Sequence, residues 1–261
     1  MSAKQNVIEI NNLSIKFGEK EALKKINLSV SKGEIIGYIG SNGAGKSTTI
    51  KILLGLIKGY QGEVKIFDEN IENTNIDLKQ KIGYVPEVVK IYESLTAREY
   101  LTFIGQIYKI EYEQCDNKAY ELMKILGIEN AYDKRISSFS KGMKQKVVLI
   151  SALLHNPEIL FLDEPLSGLD ANSVHLVKEI ITKLKEEGKT IFYSSHIMEV
   201  VEKISDRIIV LDQGNIVANG KFEEIQAING DKSLEEIFNN ITGFSECEQL
   251  ANKFIEIIKE V

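Results

Sequence analysis

Eight residues, Gly40-Ser41-Asn42-Gly43-Ala44-Gly45-Lys46-Ser47, constrain this chain more than any other stretch. They fit the spacing G-x-x-x-x-G-K-[ST] of a phosphate-binding loop. The apolar run Glu34-Ile35-Ile36-Gly37-Tyr38-Ile39 leads in as a buried strand would, and Thr48-Thr49-Ile50-Lys51-Ile52-Leu53-Leu54 leads out with helical spacing. A chain wrapping a triphosphate must turn its N–H groups inward, a backbone path that glycine takes without strain. The helix behind it offers unpaired N–H groups and a partial positive charge. Lys46 is placed to meet the β- and γ-phosphates, and the Ser47 hydroxyl to ligate Mg²⁺. A chance match of the four fixed positions arises in about one chain in a hundred. The flanking strand and helix make accident rarer still, so nucleotide binding is the expectation.

The rest of the chain sets limits on that reading. Its 261 residues can bury a large core, as one domain or one with a subdomain. The charge of −6, with basic residues scattered, gives no nucleic-acid surface. Cys115 and Cys247 are too few for a disulfide scaffold and point to a reducing compartment. Met1 to Asn6 has no apolar core behind it, so no signal peptide is expected. The longest near-continuous apolar run, Val147 to Leu154, is too short to span a bilayer and suits a core helix.

Along the chain, Val7 to Phe17 and Ile26 to Val30 read as short strands around a turn at Gly18-Glu19-Lys20, followed later by Gly62 to Phe67 and Ile82 to Val85. From Ser94 to His155 the pattern is helical. Thr96-Ala97-Arg98-Glu99 is a capping box opening a helix to about Lys109. Cys115, Ala119, Leu122 and Leu126 mark a second helix stopped by Gly127, and Met143, Val147, Ile150 and Leu154 a third after Ser140. Strand Ile159 to Leu162, a helix with Val174, Val177, Ile181 and Leu184 inward, strand Thr190 to Tyr193, and a hairpin of Arg207–Leu211 with Ile216–Ala218 complete the pattern. Strands alternating with helices predict an α/β fold with a mostly parallel sheet, an N-terminal β layer and an inserted helical subdomain at about 88–156. Residues 221–261 read as a helical extension. Ser233-Leu234-Glu235-Glu236 and Ser245-Glu246-Cys247-Glu248 are capping boxes there, and Leu250, Phe254, Ile257 and Val261 form an apolar face expected to pack on the core.

The apolar strand Ile159-Leu160-Phe161-Leu162 ends in Asp163-Glu164-Pro165. After a phosphate loop, Asp163 is the expected anchor of Mg²⁺ and Glu164 a carboxylate beside the γ-phosphate that orients or deprotonates water. With these motifs in this order, Val7 to Gly220 resembles the nucleotide-binding subunit of an ABC (ATP-binding cassette) transporter. Phe139-Ser140-Lys141-Gly142-Met143-Lys144-Gln145 stands at the family's signature segment, Ser167-Gly168-Leu169-Asp170 at its D-loop, and Ser194-Ser195-His196 at its switch histidine. Lys141 replaces the first signature glycine and Met143 the glutamine, an SKGM variant similar to a branch of bacterial exporter ATPases.

The resemblance implies a P-loop ATPase that uses ATP and Mg²⁺. Residues Gly40 to Thr48 would hold ATP on one chain, with Phe17 stacked on adenine where the family has tyrosine. Ser140 and Gly142 would hold the ATP of a second copy or a related cassette. Ser140 to Met143 and Ser167 to Asp170 would line that dimer interface. Lys46, Glu164 and His196 would be catalytic, with His196 on the γ-phosphate, whereas His155 and His175 read as structural. Ser47, Asp163 and Glu87, the last at the family's glutamine position, would face the metal. It also implies a separate membrane-spanning permease that meets the chain near Glu87 to Thr96, an export role, and a place on the cytoplasmic face of the membrane. The alternative is a soluble motor or assembly factor of the same ATPase family.

Overall fold

The structure is a computed structural model that describes residues 5–73, 76–243 and 247–259, the side chains of 247–249 excepted. In chain order the elements are β1 (Asn6–Phe17), β2 (Lys20–Ser31), β3 (Ile35–Gly40), α1 (Lys46–Leu53), β4 (Gln61–Ile66), β5 (Glu69–Asn70), α2 (Ile76–Gln80) and β6 (Ile82–Val85). Three helices follow, α3 (Ala97–Ile107), α4 (Tyr112–Ile125) and α5 (Lys141–Leu153). Then come β7 (Ile159–Asp163), α6 (Ala171–Glu186), β8 (Thr190–Ser194), α7 (Met198–Ile204), β9 (Arg207–Asp212), β10 (Asn215–Gly220), α8 (Phe222–Asn229), α9 (Leu234–Ile241) and α10 (Cys247–Lys259).

Six strands form one sheet in the order β10-β9-β3-β8-β7-β6, parallel except for the β9–β10 hairpin. Every residue of β3, β7 and β8 is buried, as strands covered on both faces must be. The two faces separate cleanly by the alternation of side chains along a strand. Ile36, Tyr38, Phe161 and Phe192 pack with α1 and the antiparallel sheet β2-β1-β4-β5. Ile35, Ile39, Leu160, Leu162 and Tyr193 pack on the opposite side with α5, α6, α7, α8 and α9. Tyr38, Phe192 and Phe161 form a tilted aromatic chain with centroids 4.7 and 5.7 Å apart, an arrangement in which truncation of one ring to Ala costs about 3–5 kcal/mol.

Helices α3 to α5 enclose a third core of their own, built on Leu101, Cys115, Met123 and Val147. The capping box at Thr96 forms, with Glu99 N–H donating to Thr96 Oγ1 and the Glu99 carboxylate accepting from Thr96 N–H. Arg98 ties the start of α3 to Asp116 on α4 at 2.8 Å and to Asp133 at 2.7 Å.

Several boundaries move. β2 runs from Lys20, well before Ile26, because its pairing with β1 is long enough to carry the charged residues Lys20, Glu21, Lys24 and Lys25 around the buried Leu23. The strand read as Gly62 to Phe67 spans Gln61–Ile66, and Phe67 leaves the ladder at φ +50°. The α3 helix stops at Ile107, and Lys109 turns at φ +62°. In α4 it is Met123, rather than Leu122, that is fully buried beside Cys115 and Ala119. The largest correction is at the C-terminal end. The apolar residues Leu250, Phe254 and Ile257 of α10 are 57 %, 64 % and 59 % exposed and do not pack on the core. Periodicity fixes which side of a helix is apolar, not what covers it. The second capping box, at Ser245, and Val261 lie outside the described residues. Among the described residues no helix is long and apolar enough to cross a membrane.

Candidate nucleotide site

Strand β3 ends at Gly40 and helix α1 starts at Lys46, so the intervening loop must reverse the chain in five residues. Gly43 and Gly45 do this at φ +80° and +115°. Gly45 is restricted by space as well as by angle, since a Cβ there would stand 2.6 Å from Leu23 Cδ2 and 2.8 Å from the Ala22 carbonyl oxygen. A Cβ on Gly40 would collide with the carbonyl of Leu211. Gly45 is also the N-cap of α1 and supplies no side-chain cap, which leaves the N–H groups of the first turn free to meet an anion. Deeper in, Thr49 Oγ1 donates to the Gly45 carbonyl at 3.1 Å and lies 3.0 Å from the buried Tyr38 hydroxyl, anchoring the helix to the strand before it.

Lys46 Nζ donates to the carbonyls of Gly40 at 2.5 Å and Ser41 at 3.2 Å. Burial lowers its pKa, and Glu164, Asp163 and Glu87 pull it back up. The loop opens on a cavity of about 410 Å³. Ser41, Asn42, Gly43, Gly45, Lys46, Ser47 and Thr48 form its floor, Phe17 flanks it, and Glu87, Asp163 and Glu164 close its far side. Phe17 is half exposed at the edge of this cavity.

The acidic wall is built by the ends of two parallel strands. Asp163 is the last residue of β7 and only 3 % exposed. Burial raises its pKa, the Ser194 and Ser47 hydroxyls beside it lower it, and the carboxylates of Glu87 and Glu164 raise it further. Tyr84, at the end of β6, is pushed up to about 12 by burial and by Asp163 and Glu87. Ser47, Asp163 and Glu87 therefore bring one hydroxyl and two carboxylates to one cavity. Among the described residues no group of three or more His, Cys, Asp or Glu side chains forms a metal site alone. An oxygen set this small fits Mg²⁺, which keeps waters and substrate phosphates among its ligands.

Glu164 has a backbone φ of +50°, a left-handed conformation that strains any residue with a Cβ. Its N–H donates to the Ser194 carbonyl at 2.9 Å, which turns the carboxylate off the end of the sheet. Glu164 Oε2 lies 2.9 Å from His196 Nδ1 and accepts from Ser195 Oγ at 3.3 Å. The Glu164 side chain is 14 % exposed and that of His196 75 %.

The remaining sequence-derived residues lie outside this cavity but beside each other. Ser140 caps α5 by accepting from Met143 N–H at 3.2 Å. Lys141 Nζ donates to Ser167 Oγ at 3.0 Å. A Cβ on Gly142 would stand 2.6 Å from the Gly168 carbonyl, so α5 and the 167–170 loop touch backbone to backbone. Leu169 packs inward, and Asp170 caps α6 through Ser173 N–H at 3.0 Å. Ser140, Lys141, Gly168 and Asp170 are exposed. Sequence reasoning missed Lys20 and Ala22, which line the cavity from β2, and Ser195, which holds Glu164. The position of Lys20, three residues after Phe17 across a tight turn, was the available signal.

The family model for ABC transporters matches residues 23–167. The chain is 34% identical over 256 residues to the linearmycin resistance ATP-binding protein LnrL of Bacillus subtilis, covering 98% of this chain and 81% of that protein. It is 37% identical over 224 residues to the bacitracin transport ATP-binding protein BcrA of Bacillus licheniformis, covering 85% and 72%. Among solved structures, the ATP-binding subunit of an ABC transporter superposes with a TM-score of 0.83 at 30% identity over 90% of this chain and 99% of that one. A dimeric ATP-binding cassette in a post-hydrolysis state with ADP and Pi gives 0.75 at 30% identity, over 82% and 98%. The family match, these relatives and these structures show that the chain belongs to the ABC transporter family as an ATP-binding, ATP-hydrolysing subunit.

Proposed function

We propose that this chain is the motor of an exporter, driving a separate membrane-spanning permease from the cytoplasmic face by ATP-dependent pairing with a second copy or a related cassette. The observation that carries the reading is the division of candidate residues into two groups. Lys46, Phe17 and Glu164 face one cavity, whereas Ser140 and Gly142 sit on an exposed helix start outside it. A helix start binds phosphate well. A site completed by Ser140 of another copy gives that surface a use.

In this mechanism the N–H groups of the loop and Lys46 Nζ hold the β- and γ-phosphates, and Phe17 stacks on the adenine. Ser47, Asp163 and Glu87 would hold Mg²⁺, which when bound neutralises phosphate charge. The Glu164 carboxylate orients the attacking water and takes its proton, and His196, beside that carboxylate, turns a ring N–H to the γ-phosphate. Closure of two copies on two ATP molecules, and reopening after hydrolysis, would move the permease. The relatives' links to linearmycin resistance and bacitracin transport support outward movement.

The test is co-purification from detergent-solubilised membranes of the native host with a tag on this chain. A multi-helix membrane protein that is recovered with it, and that raises its ATPase rate in lipid vesicles, supports the reading. A chain found wholly off the membrane and fully active alone points instead to a soluble motor.

A further inference from the structure

Helix α5 begins at the exposed Ser140 segment and carries, five residues past that cap, a side chain that touches neither solvent nor the nucleotide cavity. Gln145 is 1 % exposed. Its Nε2 donates to the carbonyl oxygen of Pro165 at 3.0 Å. Its Oε1 is buried with no hydrogen-bond partner among the described residues. A buried amide with its acceptor unused loses the water it would have had and gains one bond in return. Val147, Val148, Leu149 and Ile150, which follow it on this helix, are apolar core residues. For stability alone an apolar side chain would serve better, so the amide is best explained by the carbonyl it holds.

That carbonyl belongs to the residue directly after Glu164. A left-handed φ of +50° strains a residue with a Cβ and persists only where its surroundings hold it. Two backbone bonds hold the entry and the turn: Glu164 N–H to the Ser194 carbonyl at 2.9 Å, and Ser167 N–H to the Glu164 carbonyl at 3.1 Å. Pro165 is buried and has no N–H of its own with which to fix the exit. Gln145 supplies that third point, and it is the one that comes from another element's side chain. We propose that Gln145 is a positioning residue for ATP hydrolysis, its amide holding the Pro165 carbonyl and so fixing the turn that aims the Glu164 carboxylate. The proposal rests on Glu164 acting on water.

The discriminating variant is Gln145→Met, which keeps length and volume, removes the donor and also removes the unpartnered Oε1. With rates normalised to titrated ATP-binding sites, so that misfolded protein does not count, kcat should fall by about tenfold or more, because a small misplacement of a catalytic group is costly. KM and ATP affinity should stay within about twofold of wild type, and the melting temperature should be retained. The decisive measurement is the Gln145→Met, Glu164→Gln double variant, followed in long single turnovers with radiolabelled ATP. It should be no slower than Glu164→Gln alone, since the amide acts only through that carboxylate. A second full loss in the double variant, an unchanged kcat in Gln145→Met, or a raised KM with kcat intact would each overturn the proposal. Normal turnover by Glu164→Gln alone would overturn the role of Glu164 itself, and is thereby distinguished from a failure at Gln145.

Discussion

His196 Nδ1 lies 2.9 Å from Glu164 Oε2, joining the second residue past the end of β8 to the first residue past the end of β7. Ser195 Oγ holds the same oxygen at 3.3 Å and also accepts from Ile197 N–H at 3.1 Å. The carboxylate is thus held on one side and open on the other. Replacing Glu164 by Gln should lower hydrolysis at least ~10²-fold, and replacing His196 by Ala should lower it ~10-fold or more, with ATP binding near normal in both. Phosphate release and nucleotide titration measure the two quantities, and a loss of ATP affinity that accounts for the rate would contradict this assignment.

Asp163 predicts a pH dependence. Its pKa is raised in the folded state, chiefly by burial. The folded protein therefore holds that proton more tightly than the unfolded chain. The resulting stability is fully present below the ordinary value of 3.8 and is lost as pH rises through the higher folded value. Asp163→Asn should remove this fall. Its nucleotide-free melting temperature at neutral pH should equal or exceed that of the wild type, while Mg²⁺-dependent turnover is lost. Calorimetry across pH checks the first, and a melting temperature clearly below wild type would contradict it.

Gly45→Ala tests the loop. The substitution places a Cβ at φ +115° and within 2.6 Å of Leu23 Cδ2, so the loop must shift. It should cost about 1–3 kcal/mol in denaturant unfolding and abolish ATP binding by isothermal titration. Gly55→Ala is the matched control. It has positive φ with nothing near its Cβ, and should strain the backbone without affecting nucleotide.

Much of this site was legible because phosphate chemistry demands particular residues at particular spacings. Gly40 to Ser47 and the apolar run into Asp163 identify themselves in that way. The parallel sheet was legible for a similar reason, since strands buried on both faces read as unbroken apolar runs, as in Ile159 to Leu162. What stayed hidden depends on contacts between distant elements. Nothing local marks Ser195 as a partner of Glu164, or Gln145 as a partner of Pro165, 20 residues away. The exposed face of α10 was misread because amphipathic spacing is the same for a helix on the core and a helix awaiting a partner.

The exposure of α10 has a direct consequence. Leu250, Phe254, Ile255, Ile257 and Ile258 are all about half exposed or more, so ending the chain after Gly243 removes little buried surface. The truncated protein should unfold within about 0.5 kcal/mol of the full chain and keep its basal ATPase rate. A large drop in denaturant midpoint would mean that α10 packs on the core in solution.

The central claim is that each ATP is held by the Lys46 loop of one copy and the Ser140 segment of the other. Lys46→Ala and Ser140→Arg homodimers should both be inactive, since each has two defective sites. A mixed dimer puts both lesions in one site and leaves the other with an intact Lys46 and an intact Ser140. The measurement is ATP hydrolysis by the mass-verified mixed dimer, with nucleotide occupancy determined in the same sample. The account predicts one occupied site and restored turnover. A verified mixed dimer whose intact site stays empty, or is filled yet releases no phosphate, would contradict it.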